Sequence, residues 1–248
     1  MQWDAQRYDS QHRFVAQYGQ DLLSLLPENH SCSVLDIGCG TATLTEELSK
    51  RYQRVVGLDA SKNMISKAQQ NYPELNFVCQ DALSMTYQQE FDVVFSNAVF
   101  HWIDNHDLLL TRIHEALKPG GVIVAEMGAY KNCDAILQTF KSCFEKKGYR
   151  FNSPYFYPKT DDYQALLEEH GFEVEMIVDF DRPTPLTEGE QGLRNWIIQF
   201  YEQNLCRMPK EKQAEVLSEV ETLLKPVLWH DTIWVADYRR LRFKAVKC

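Results

Sequence analysis

A chain of 248 residues, 44% of them hydrophobic, is long enough to bury a sizeable core as one large α/β domain, or as one domain with an inserted cap. Its 35 Asp and Glu outweigh 26 Lys and Arg, and the formal net charge of −9 argues against nucleic acid bound through a broad basic surface. Seven cysteines without a C-x-x-C spacing read as reduced thiols; with no basic-then-apolar leader and no membrane-spanning apolar run, the expectation is a cytoplasmic protein with no membrane partner, a monomer or weak dimer.

In chain order, residues 4–26 place Phe14, Tyr18, Leu22 and Leu25 on one helical face, with Trp3, Tyr8 and His12 ahead of that stripe and Pro27 closing it. Residues 1–30 are therefore expected to form either a helix covering the sheet edge or a lid whose aromatic residues close over a ligand. The apolar run 34–37 then predicts a buried strand, and Leu44, Leu48 and Tyr52 recur at helical spacing beyond it. Between them lies Gly38-Cys39-Gly40, a tight turn in which glycine permits positive φ and leaves no side chain between backbone and ligand. Cys39 is expected to offer its backbone rather than its sulfur.

The identity of the ligand is argued from what this turn lacks. A dinucleotide fingerprint needs a third glycine where this chain has Thr43. Asp36, two residues before Gly38, would repel a diphosphate but accept a hydrogen bond from an ammonium group. A second strand, 54–58, ends in Asp59, about 20 residues past the glycines, where a carboxylate takes both hydroxyls of a ribose. S-adenosylmethionine carries an ammonium, a sulfonium and such a ribose, and no metal is expected. An NAD-dependent oxidoreductase would share Asp59, and a silent cofactor-binding module would keep the whole cradle.

Ser61 predicts an N-cap for a helix with Met64, Ile65 and Ala68 inward, and a short strand 76–79 leads to Asp81, which alone would read as a turn former. The run 91–95 has the pattern of a strand covered on both faces. Residues 96–102 follow at its carboxyl end, where open α/β sheets bind ligands. Asn97 and Ala98 would face the cofactor, and His101 and Trp102 a substrate. His101 reads as a structural histidine, a hydrogen-bond donor or a general base. Leu109, Ile113 and Leu117 predict a helix stopped by Lys118-Pro119-Gly120-Gly121, and 122–126 a fifth strand.

Another helix spans Asp134, Phe140 and Phe144, an aromatic loop covers 149–160, and Thr160 would cap a helix bearing Tyr163 and Leu167. A sixth strand is expected at 172–180. Two helices follow, one with Leu193, Trp196, Ile197 and Phe200, the other with Val216, Val220, Leu223 and Leu224 inward, before a last strand over 232–246. The predicted fold is thus α/β, a doubly wound seven-stranded, mostly parallel sheet with the last strand antiparallel. The divisions expected are a helical lid over 1–30, a core over 31–183 and 231–248, and a helical cap over 184–230.

In order, Val34-Leu35-Asp36-Ile37-Gly38-Cys39-Gly40-Thr41, Val56-Gly57-Leu58-Asp59, Gln80-Asp81-Ala82 and Leu117-Lys118-Pro119-Gly120-Gly121 resemble the motifs of class I S-adenosylmethionine-dependent methyltransferases. Trp3, the stretch 96–102 and Tyr238-Arg239-Arg240-Leu241 look similar to the trans-aconitate methyltransferase group. The resemblance implies a Rossmann-like fold and a cofactor site of Asp36, Gly38, Cys39, Gly40, Asp59, Ala60, Met64, Asp81, Ala82, Asn97 and Ala98, with Met64 on the adenine face and Asp81 at its amino group. It also implies a small-molecule substrate against Trp3, Tyr8, His12, His101, Trp102 and one of Arg239 or Arg240, since strand alternation lets only one of that pair face inward. Carboxylate O-methylation is the favoured chemistry, because a carboxylate needs no base. A malonyl thioester or an N or C acceptor are the alternatives.

Overall fold

The computed structural model describes residue 19 and residues 21–248, so the aromatic residues Trp3, Tyr8 and His12 lie outside the described part. Among the described residues the strands are β1 (Ser33–Ile37), β2 (Arg54–Asp59), β3 (Asn76–Cys79), β4 (Phe91–Asn97), β5 (Leu117–Gly128), β6 (Phe172–Pro185), β7 (Trp229–His230) and β8 (Ile233–Lys247). The helices with them are α1 (Thr43–Ser49), α2 (Lys62–Asn71), α3 (His106–Ala116), α4 (Asp134–Lys146), α5 (Thr160–Glu169), α6 (Gly192–Leu205) and α7 (Lys210–Leu228).

All five residues of β1 are buried, as a strand covered on both faces requires, and it pairs in parallel with β2 on one side and β4 on the other. The sheet runs β3-β2-β1-β4-β5-β8-β6, with the two-residue β7 antiparallel to β8 beside this path. The seven expected strands are present, mostly parallel, with the last antiparallel. The strand order reverses between β1 and β4, so the carboxyl tips of these strands flank the switch point at which doubly wound sheets bind ligands.

The chain forms two compact units. One takes the chain up to Gly128, then Pro158–Asp179 and Leu241–Cys248; the other takes Ala129–Tyr157 and Phe180–Arg240. In the first, Leu22, Leu23 and Leu26 join Val34, Leu48, Tyr52, Val93 and Phe95 in one apolar cluster. The second is wider than an insertion over 184–230, because α4 buries Ile136, Phe140, Cys143 and Phe144 at helical spacing in the same cluster as α6 and α7. Strand β8 serves both units. Trp234, Ala236, Tyr238 and Arg240 are buried in its first half and Leu241, Phe243 and Ala245 in its second, so burial switches parity where the chain changes unit.

Local differences from the sequence reading have physical reasons. Thr160 does not cap α5: Lys159 occupies the cap, while the Thr160 hydroxyl donates to Asp179 Oδ1 at 2.9 Å. The Lys118–Gly121 cluster does not end pairing. It forms a bulge, with pairing to β4 jumping from Phe91↔Leu117 to Val93↔Val122 around Gly120 at φ 72°. Leu223 is exposed, because α7 turns Val216, Leu217, Val220, Leu224 and Leu228 inward instead.

Candidate active site

After β1 the backbone turns sharply against β2, and Gly38 and Cys39 donate their N–H groups to Leu58 O at 2.6 and 3.1 Å. Gly38 and Gly40 both take positive φ, 76° and 56°, yet they are glycines for different reasons. A Cβ on Gly38 would sit 2.1 Å from Val99 Cγ2, so this glycine admits a side chain of the protein itself. One on Gly40 would meet nothing within 4 Å, so this glycine faces open space. The Cys39 sulfur packs toward Gly57, where an added Cβ would meet it at 3.0 Å, and burial with the charges of Asp36 and Asp59 pushes its thiol up, so it stays protonated.

Two carboxylates flank the turn. Asp36 is 3% exposed, and Thr45 Oγ1 on α1 donates to its Oδ2 at 2.7 Å. Burial raises its pKa to about 7, the Thr45 bond opposes this, and the charge of Asp59 adds to it. Asp59 closes the other side: its Oδ2 accepts Gly40 N–H at 3.0 Å and its Oδ1 accepts Ser61 N–H at 2.8 Å. Its pKa is also raised by burial, against the pull of those two backbone donors. Two acidic groups that repel one another beside open backbone form a receptor for a cation with hydroxyls. The ammonium, sulfonium and ribose of S-adenosylmethionine fit this donor set; a diphosphate does not.

Around this pair, Ser61 caps α2 by accepting Met64 N–H at 3.4 Å, which places Met64, 3% exposed, one turn into the helix. Ala60 is exposed at the tip of β2, and its carbonyl lies 3.9 Å from the Cys79 sulfur. Asp81 Oδ1 accepts Leu83 N–H at 2.9 Å and starts the short helical turn Ala82–Ser84, in which Ala82 is buried. Asp81 thus has the turn-forming role, and its remaining oxygen capacity is at the surface.

At the tip of β4, Asn97 pairs in register with Glu126, and Ala98 is held at φ 61° by its N–H bond to Glu126 O at 2.7 Å. His101 is 7% exposed, and its Nδ1 accepts Gly128 N–H at 3.2 Å. That bond assigns the ring proton to Nε2, so the imidazole is a structural acceptor on one side and a donor on the other. Trp102 stands beside it, ring centres 5.6 Å apart. Arg239 and Arg240 belong to the second unit. Arg239 pairs with Asp181 at 2.6 Å, whereas Arg240 is buried with its guanidinium carbon 4.6 Å from the Tyr238 ring centre. Among the described residues no group of three or more His, Cys, Asp or Glu is arranged to hold a metal ion.

Three contributors escape a reading of the sequence. Thr45 donates to Asp36 and opposes the rise that burial causes, and nothing but a hydroxyl residue among the apolar positions of α1 signals it. Val99 fills the space of Gly38 from 61 residues away in the chain, which no local pattern announces. Gly19, a glycine inside a helical pattern, has no room for a Cβ: one would meet Leu44 Cδ1 at 2.5 Å and Asn97 Nδ2 at 3.0 Å.

Comparison with known proteins agrees with this geometry. Residues 35–125 match the methyltransferase domain family. An uncharacterized methyltransferase of Schizosaccharomyces pombe is 32% identical over 99% of this chain and 98% of its own. A trans-aconitate 2-methyltransferase of Deinococcus radiodurans is 36% identical, over 52% of this chain and 50% of its own length, so the chain spans about half of that relative. Among solved structures, a Haemonchus contortus phosphoethanolamine N-methyltransferase in complex with S-adenosylhomocysteine has the same fold, with TM-score 0.58, 21% identity, and coverage of 93% of this chain and 52% of that one. The similarity that runs the full length of the chain decides the family: this protein belongs to the class I S-adenosylmethionine-dependent methyltransferases.

Proposed function

We propose that this enzyme transfers the methyl group of S-adenosylmethionine to a carboxylate of a small organic acid. The observation that carries the reading is the paired-acid cradle: Asp36 for the ammonium, Asp59 for the ribose hydroxyls, and the bare backbone of Gly40 between them. Met64, Ala60, Asp81 and Ala82 would line the adenine, and Gly38, Cys39, Asn97 and Ala98 the aminoacyl part. The segment 1–30, with Trp3, Tyr8 and His12, is proposed as a lid, and the residues of the second unit as a cap.

S-adenosylmethionine, when bound, supplies a methyl carbon on a positively charged sulfur. The protein then has little to do beyond holding an acceptor oxygen in line with that carbon and keeping water away. Asp36 and Asp59 neutralise cationic charge around the turn without reaching for a proton. A carboxylate is already a nucleophile at neutral pH. His101 Nδ1 accepts Gly128 N–H, so that nitrogen is not available as a general base, and a carboxylate acceptor needs none. The partial match to trans-aconitate 2-methyltransferases supports the same class of acceptor.

The test is a panel of small organic acids incubated with isotopically labelled S-adenosylmethionine. Label released as methanol by mild base indicates a methyl ester. Label resistant to base would move the reaction to a nitrogen, carbon or ether acceptor, whereas no labelled product from any free acid would make a malonyl thioester the next substrate to try.

A further inference from the structure

Strand β8 carries Arg239, Arg240, Arg242 and Lys244 within six residues. Three of these have an acid: Arg239 with Asp181 at 2.6 Å, Arg242 with Glu126 at 2.7 Å and Lys244 with Glu175 at 2.8 Å. Arg240 has none. It is 6% exposed, its Nε is enclosed, and no hydrogen bond or ion pair to it forms among the described residues. A guanidinium does not discharge itself by losing a proton, so an enclosed and unpaired one is costly unless an anion meets it.

We infer that Arg240, rather than Arg239, is a carboxylate receptor built into the second unit, and that it takes a small organic acid. The inference deepens the proposed acid methylation and rests on it for the identity of the ligand. Tyr238 and Arg240 are buried on the same side of β8, and the guanidinium carbon lies over the Tyr238 ring at cation–π distance. Trp196 Nε1 donates to Tyr238 Oη at 2.7 Å and pins that ring. A guanidinium's forked N–H groups suit a planar pair of oxygens. The other groups that feel the Arg240 charge are the Tyr157 phenol and the Cys133 thiol; burial pushes both up, so both stay neutral. Asp237 alternates to the other side of the strand and accepts Ala135 N–H at 2.7 Å. Among the described residues no carboxylate pairs with the Arg240 guanidinium, which leaves it open to an anionic ligand.

The experiment titrates di- and tricarboxylic acids, beginning with trans-aconitate, into the full chain saturated with S-adenosylhomocysteine, by calorimetry and thermal shift. Arg240→Gln is expected to weaken acid binding by about 30-fold. Arg239→Gln should change it by under about threefold, because an exposed ion pair contributes little. S-adenosylhomocysteine affinity should stay within about twofold in both variants, which also reports that they fold. Without acid, Arg240→Met should raise Tm by about 3 °C, since it removes an enclosed charge.

Acid binding that survives Arg240→Gln, a larger loss in Arg239→Gln, a fall in the acid-free Tm of Arg240→Met, or wild type that binds no acid would each overturn the inference. Inorganic phosphate or sulfate binding as tightly as the acids would overturn the carboxylate assignment. Acid held through Arg240 without methyl ester formation would sink the proposed reaction and leave the receptor standing. Ester formation by Arg240→Gln at unchanged KM would do the reverse.

Discussion

The turn after β1 and the interior of the second unit are built on opposite plans. At the turn, each carboxylate is held by groups close along the chain: Asp59 and Ser61 are two residues apart, Asp36 and Thr45 nine, and Gly40 and Asp59 nineteen. In the second unit the defining bonds span 42 residues, from Trp196 to Tyr238, and 102, from Ala135 to Asp237. The turn presents backbone and acids, and the second unit encloses Arg240, without an acidic partner among the described residues, over the Tyr238 ring. A site made from a local bend can be written into a short motif; one made by packing distant segments cannot.

The largest expected effect tests whether the turn is as locally determined as this comparison holds. Gly38→Ala should destabilise the protein by about 3 kcal/mol, combining a positive φ with a Cβ driven into Val99. Gly40→Ala should cost only about 1 kcal/mol, because its Cβ meets nothing, and should instead lower affinity for S-adenosylmethionine. Denaturant melts and calorimetry on both variants separate the two roles. Equal stability losses would mean that the open space at Gly40 is not where a ligand lies. Next in size, Asp59→Ala should weaken cofactor binding by more than about tenfold through lost ribose contacts and a loosened Gly40. Unchanged affinity would remove Asp59 from the cofactor site.

What could be read in advance follows the same division. The mostly parallel sheet with its last strand antiparallel and the glycine turn were legible because strands alternating with helical patterns and a turn motif are short-range signals, and Ser61 was legible as a cap for the same reason. The reading gave Gly38 and Gly40 one purpose, since the packing of Val99 is invisible along the chain. It expected a cap over 184–230 and left out α4, whose Phe140 and Phe144 look like any amphipathic face until their partners are known. For Arg239 and Arg240, alternation said that one would be enclosed. Only the switch of burial parity between Arg240 and Leu241 says which.

The pH dependence sharpens the electrostatic half of the comparison. The Asp36 carboxyl rises from an ordinary value near 4 to about 7 in the folded protein, through burial first and the charge of Asp59 last. A raised acid binds its proton more tightly when folded. Its contribution to stability is therefore complete below about pH 4 and is lost as pH rises through 7. An ammonium ligand prefers the ionised form, so cofactor affinity should fall by up to about tenfold per unit as pH drops below 7. Binding at pH 6 should release close to one proton, measurable by calorimetry in buffers of different ionisation enthalpy. Asp36→Asn should abolish the release, and Thr45→Val should move the onset to higher pH by removing the opposing hydrogen bond. A flat proton count between pH 6 and 8 would contradict an ammonium at Asp36.

In the second unit, Tyr238→Phe should cost about 1 kcal/mol by leaving buried Trp196 Nε1 without its acceptor, as read by denaturant melts. It should also loosen the contact of Arg240 with the ring and weaken acid binding. Stability loss with no change in acid affinity would reduce the ring to a packing element.

The smallest effect is assigned to the shortest ion pair on β8. Arg239 meets Asp181 at 2.6 Å, but Asp181 is 72% exposed and Arg239 35%, so water screens the attraction and holding two mobile side chains offsets much of the remainder. Asp181→Ala should therefore change stability by no more than about 0.5 kcal/mol, and less at high salt. Arg240, without any such contact, is expected to matter more to ligand binding than Arg239 with one. The difference rests on burial alone: an enclosed charge cannot fall back on water when its partner is absent, and an exposed one can. A cost above about 1 kcal/mol for Asp181→Ala that persists at high salt would show that distance rather than exposure sets the strength of these pairs, and the ground for separating Arg240 from its neighbours would go with it.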